Sequence, residues 1–255
     1  MKKNYILFID SGVGGLTTLA ETYKNTCANF IYFADNKHAP YGAHKPTEIC
    51  HYLYNIIKEM ISKHNICLVV LACNTATTSA ITFLREKFNI PIVGTEPAVK
   101  LAKTMGFSAP LIIATPRTTK QPAIGKMLIN SKLDGRIYGM PHLAKKIELW
   151  LKKQSYLTYF DLLKDICYIS RLSKRHDCIV LGCTHYVIIK NLIQNFANKP
   201  TIDGNVGVSN QVSKLFSGAK KTLSFSKSVR FMCSLSKSNT SQNYRKIFKQ
   251  ILAKR

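Results

Sequence analysis

The chain has 255 residues, 46% of them apolar, and carries 37 lysines and arginines against 13 acidic residues, a formal net charge of +24. That length supports one large domain or two smaller ones, and no apolar run approaches the roughly 18–20 residues of a membrane-spanning helix. The eight cysteines include no C-x-x-C pair and do not group with the seven histidines at zinc-ligand spacing, so neither a disulfide framework nor a bound metal is expected.

The start, "MKKNYILFID", imitates a signal peptide, but Asp10 and the glycines of "SGVGG" cut the apolar stretch short. It reads instead as the first β-strand of a cytoplasmic protein. Tyr5–Ile9 predicts a buried strand, followed by a glycine turn and a helix over "LTTLAETYK". Asn29–Asp35 predicts a second strand, and Thr47–His64 a helix with Thr47 as its N-cap. "CLVVLA" is a third strand, "TATTSAITFLREKF" a helix and "IPIVG" a fourth strand. Strands alternating with helices argue for a parallel sheet covered by helices.

The rhythm then restarts. "PLIIA" (Pro110–Ala114) and "CIVLG" predict strands, while "MPHLAKKIELWLKK", "YFDLLKDICYISRL" and "HYVIIKNLIQNF" predict helices. In the tail, "VGVSNQVSKLF" predicts a helix, "VRFMCSL" a strand and "NYRKIFKQILAKR" a basic amphipathic helix. No low-complexity linker separates the halves, so two domains would be tightly joined.

A charge of +24 invites a nucleic-acid or anionic-surface partner. The lysines, however, are scattered, and only "KPTEIC", the "KK" pairs and "GAKKTLSFSKSVR" are locally basic. A lysine-biased proteome gives the same total with no partner. Dedicated nucleic-acid binding is therefore disfavoured, and attraction of small anions is the better reading.

The two halves share a junction. "VVLACNT" ends a strand in Cys73-Asn74-Thr75, and "IVLGCTH" ends another in Cys183-Thr184-His185. Beside them, "YILFIDS" ends in Asp10-Ser11 and "PLIIATP" ends at Thr115. In open α/β sheets, ligands bind beyond the carboxyl ends of the strands. Two such sheets facing one another would bring both thiols to one cleft; chance similarity of two strand–helix junctions is the plainer alternative.

A cysteine between a strand and a helix lies near the positive end of the helix dipole, which favours the thiolate. One such thiol would suggest nucleophilic catalysis with His185 as base. Two, on opposite faces of a carbon, suggest stereoinversion: one thiolate removes a proton while one thiol supplies another. Asn74, Thr75 and Thr184 are suited to hold a carboxylate. Asp10 suits a substrate ammonium or the protonation of Cys73, and His185 the same task at Cys183. Singly, Asp10 as a helix N-cap and His185 as a turn residue bonded to a carbonyl are the commoner roles. "DSGVGG" lacks the dinucleotide and P-loop spacings, and no arginine follows either cysteine as a phosphatase loop would require.

"IDSGVGGLT", "FADNKHAPYG", "ACNTAT", "IVGTEPA" and "LGCTHY", in this order and spacing, resemble the glutamate racemases of the aspartate/glutamate racemase superfamily over essentially the whole chain. The resemblance implies two pseudo-symmetric parallel-sheet α/β domains facing each other across an active-site cleft. The N-terminal domain (1–96) would be completed by residues 206–255, with 97–205 forming the second. It implies cofactor-independent interconversion of L- and D-glutamate, supplying D-glutamate for peptidoglycan. No metal, membrane or nucleic acid is implied, and a homodimer is allowed. Carried over, Cys73 and Cys183 are the acid/bases, assisted by Asp10, His185 and Glu148. Asp10, Ser11, Tyr41, Gly42, Asn74, Thr75, Thr184 and His185 line the substrate site, and Thr115 and Thr118 are further carboxylate contacts. The chain departs from the family pattern at Val187, where proline is usual. Aspartate and hydantoin racemases are relatives with paired cysteines, and a basic nucleic-acid-binding protein on a racemase-derived scaffold is the alternative of a different class.

Overall fold

The computed structural model describes residues 3–218, 227–235 and 240–253. The central residues of the basic segment "GAKKTLSFSKSVR", 219–226, lie outside the described residues. The chain divides into two compact units, Met1–Thr95 with Asn205–Arg255, and Glu96–Gly204. No helix among the described residues is long and apolar enough to cross a membrane.

The first unit runs β1 (Asn4–Asp10), α1 (Leu16–Asn25), β2 (Asn29–Ala34), α2 (Pro46–Lys63), β3 (Asn65–Leu71), α3 (Asn74–Lys87) and β4 (Ile92–Gly94). The second holds α4 (Val99–Thr104), β5 (Pro110–Ala114), α5 (Pro116–Thr119), α6 (Pro122–Ser131) and β6 (Arg136–Gly139). It continues with α7 (Leu143–Lys153), α8 (Tyr156–Leu172), β7 (Cys178–Gly182), α9 (Thr184–Ile188), α10 (Lys190–Ala197) and β8 (Thr201–Ile202). The chain then returns to the first unit through α11 (Asn205–Gly218), β9 (Ser228–Cys233) and α12 (Thr240–Ala253).

Each unit is built on a parallel sheet, of order β4-β3-β1-β2-β9 in the first and β6-β5-β7-β8 in the second. The central strands read as continuous apolar runs because both faces are covered. In β1, Tyr5, Leu7 and Ile9 enter one core with α2 and α3, while Ile6 and Phe8 enter the other with α1, α11 and α12. In β7, Ile179 and Leu181 face the core under α7–α10, and Cys178 and Val180 face the one under α4 and α6. Burial, then Asp177, push the Cys178 thiol up to about 12, so it behaves as a core residue. The returning segment adds β9 alongside β2, in register from Asn29↔Ser228 to Ala34↔Cys233.

Local differences from the sequence expectation have physical causes. α2 is capped at Lys45, not Thr47: Pro46 takes the first helical position and Glu48 Oε2 accepts the Lys45 N–H at 2.7 Å. "HYVIIKNLIQNF" is two helices, because Ile189 leaves helical geometry (ψ 17°) between α9 and α10. The short strands β6 and β8 and helices α4–α6 carry too few apolar repeats to stand out in the sequence.

Candidate active site

In the first unit, the chemistry-bearing residues stand at the carboxyl ends of adjacent strands. Asp10 ends β1, is fully buried, and accepts the Gly12 N–H at 2.7 Å. It is not the N-cap of α1, which is Gly15. That glycine allows α1 to start hard against the sheet: a Cβ there would lie 2.8 Å from Ala72 Cβ and 2.9 Å from Asp10 Cβ. Ser11 is buried beside it.

Cys73 follows β3 and forms the N-cap of α3, with φ −143° and ψ 123°. Its carbonyl takes the first helical bond, from the Thr77 N–H at 2.9 Å, so Cys73 stands at the positive end of a 14-residue helix. Asn74 and Thr75 are buried in the first turn. The Asn74 amide donates to the Thr95 carbonyl at 3.2 Å, which fixes its orientation from the end of β4. Tyr41 is buried in the same core as Cys73, and its neighbour Gly42 is exposed. Burial, then the Asp35 charge and hydrogen bond, then Cys73 and Asp10, raise the Tyr41 pKa well above its ordinary value, so the phenol is neutral.

The second unit repeats the junction. Cys183 follows β7 and forms the N-cap of α9, with φ −147° and ψ 133°. Thr184 and His185 are buried in the first turn. His185, two residues along the chain from Cys183, places Nε2 2.8 Å from Glu148 Oε1. Burial alone would lower the imidazole pKa, but the contacts to Cys183 and Glu148 outweigh it and raise it well above the ordinary histidine value. Nε2 of His185 is thus bonded to a carboxylate, where the plainer expectation had a backbone carbonyl. Thr115, one residue beyond the Ala114 that pairs with Gly182 of β7, caps α5 and pairs with Thr118 through hydroxyls 2.9 Å apart. Gly182 permits this packing, since a Cβ there would meet Ala114 Cβ at 2.9 Å.

Three residues of these surroundings escaped the sequence reading. Thr95 orients Asn74, Asp35 holds Tyr41, and Tyr186 donates from beside Cys183 to the Met140 carbonyl at 3.2 Å. All three lie inside the quoted motifs, and their polarity at a strand or helix end was the available signal.

Fold and junctions define a class: parallel α/β proteins of two units, each carrying a buried thiol where an inner strand meets a helix. Such thiols, with a charged partner nearby, are equipped to give and take protons. The model of the Asp/Glu/Hydantoin racemase family matches residues 17–208, and the chain belongs to that family. Glutamate racemase of Clostridium acetobutylicum is 38% identical over 226 residues, 84% of each chain. Among solved structures, Escherichia coli glutamate racemase in complex with L-glutamate and the activator UDP-MurNAc-Ala superposes with a TM-score of 0.83, at 23% identity over 98% of this chain and 96% of that one. The RacE1 glutamate racemase of Bacillus anthracis gives 0.82 at 22% identity, over 99% and 95%.

Proposed function

We propose that this chain interconverts L- and D-glutamate without a cofactor, with Cys73 and Cys183 as the two acid/bases. In one direction a thiolate takes the α-proton, and the electron pair left on Cα is delocalised into the substrate carboxylate. The opposing thiol then gives its proton to the other face, so the two sulfurs exchange protonation states in each turnover. The observation that carries this reading is the repeated junction: both cysteines cap a helix after an inner strand, in nearly the same backbone conformation. The mechanism requires both sulfurs to reach one α-carbon.

In this reading Asp10 serves Cys73, and His185, held by Glu148, serves Cys183. Donors at Ser11, Tyr41–Gly42, Asn74–Thr75 and Thr184–His185 hold the substrate's charged groups, with Thr115 and Thr118 as further carboxylate contacts. The activity is placed in the cytoplasm, supplying D-glutamate for peptidoglycan. The family and the 38% identity to a glutamate racemase support the choice of substrate.

The test is NMR of L- and D-glutamate, aspartate and glutamine incubated with the protein in D₂O, without pyridoxal phosphate. Racemised glutamate should carry deuterium at Cα. Retention of the α-proton during racemisation, or turnover only with pyridoxal phosphate, would refute the mechanism; preference for aspartate would refute the substrate.

A further inference from the structure

We infer that Asp35 and Tyr52 are positioning residues for substrate binding, acting through a clamp that fixes the Tyr41–Gly42 turn. The inference rests on the reading above that this turn contacts the substrate.

The turn lies between β2 and α2, outside the sheet. Its backbone bonds from Ala43 to Pro40 (3.0 Å) and from His44 to Tyr41 (3.1 Å) are local, so they shape the turn without tying it to the sheet. Side chains supply that connection. Asp35 directly follows β2, and its N–H donates to the Asp10 carbonyl at 2.8 Å. Its carboxylate is fully buried, an arrangement that is expensive unless partners replace water. The partners are the Tyr41 hydroxyl, 2.9 Å from Oδ2, and His38 Nδ1, 2.8 and 3.0 Å from the two oxygens. One carboxylate thus ties the tyrosine of the turn to the strand end beside Asp10.

The two ends of the turn meet on one ring. His38 stacks face to face on Tyr52, with centroids 3.8 Å apart and planes within 9°. His44 packs edge-on against the same ring at 5.4 Å and 90°. Tyr52 belongs to α2, and α2 is bonded to α3 through the Cys50 thiol and the Ser79 carbonyl at 3.4 Å. The clamp therefore references the turn to the helix that Cys73 caps. Two further bonds hold its approach: Asn36 with Tyr244 at 2.8 Å, and the Lys37 N–H to Ser234 Oγ at 2.8 Å. The Asp35 carboxylate and the Tyr52 ring together restrain residues 38–44 at the centre and at both ends.

The test combines steady-state kinetics on glutamate with hydrogen exchange over residues 38–45, using Tyr52→Leu, Tyr52→Phe, Asp35→Ala and Asp35→Asn. Tyr52→Leu and Asp35→Ala should raise KM by on the order of tenfold with kcat changed less than about threefold, the signature of lost binding geometry. Exchange in the turn should quicken in both. Tyr52→Phe keeps the stacking ring and Asp35→Asn keeps an acceptor for Tyr41, so both should restore KM toward the parent value. Tyr52 is only half-buried and lies outside the apolar cores, so its variants remain informative if Asp35→Ala does not fold. Unchanged KM and unchanged exchange in folded Tyr52→Leu would overturn the clamp. If the parent does not racemise glutamate at all, the functional reading fails, while the exchange measurement still decides whether the clamp holds the turn.

Discussion

Glu148 Oε1 lies 2.8 Å from His185 Nε2, and the two residues come from different helices, α7 and α9, of the second unit. The carboxylate is partly in solvent while the imidazole is buried. Cys183 stands two residues before His185, at the N-cap of the same helix.

That relationship fixes a pH dependence. His185 titrates higher folded than unfolded, so its contribution to stability is complete below the ordinary histidine value of about 6.5 and is lost as pH rises through its folded value. Glu148→Gln removes one of the groups that raise it. Urea unfolding should show the variant less stable than the parent at about pH 6, with the gap closing at alkaline pH, where His185 is neutral in both. A gap independent of pH would show that the pair is not charged.

Replacing either thiol tests the two-base mechanism directly. Cys73→Ser and Cys183→Ser should each lower kcat/KM in both directions by on the order of 10²–10⁴, the range for loss of a general acid/base. Circular dichroism should be unchanged, because serine is nearly isosteric. A variant that racemises at the parent rate removes that cysteine from the mechanism.

The start of α1 depends on a missing side chain. Gly15→Ala would press a methyl against Ala72 and Asp10, and should cost about 1–3 kcal/mol in chemical denaturation, as overpacking does. Activity should fall more than stability, because Asp10 is displaced. Gly125→Ala is the counterpart: its Cβ meets nothing within 4 Å inside α6, and it should stabilise by about 0.5–1 kcal/mol.

The charge of +24 has a kinetic consequence for a dicarboxylate substrate. Between low and high ionic strength, kcat/KM for glutamate should fall as screening shortens the reach of the field, with kcat little changed. A flat profile would mean that the excess lysines play no part in substrate capture.

How much of this was legible differs from element to element. Tyr5–Ile9, Pro110–Ala114 and Cys178–Gly182 were readable as strands because covering both sheet faces demands an unbroken apolar run. β6 was not, since Arg136–Gly139 is largely exposed and follows no apolar pattern. Thr47 misled because Pro46 and Glu48 together define an earlier helix start. Asp35 and Tyr52 were invisible as a pair: they act through a ring stack and a buried carboxylate, neither of which leaves a spacing rule.

The long buried strands and amphipathic helices, the two strand–cysteine–helix junctions and the family were set by the linear chain, because burial periodicity and short motifs are local properties. Folding alone decided that Glu148 meets His185 across 37 residues of chain, and that Tyr41 leans on Asp35. Such partnerships depend on where helices pack against a sheet, and hydrogen-bond geometry at about 3 Å is sensitive to packing that no local pattern encodes.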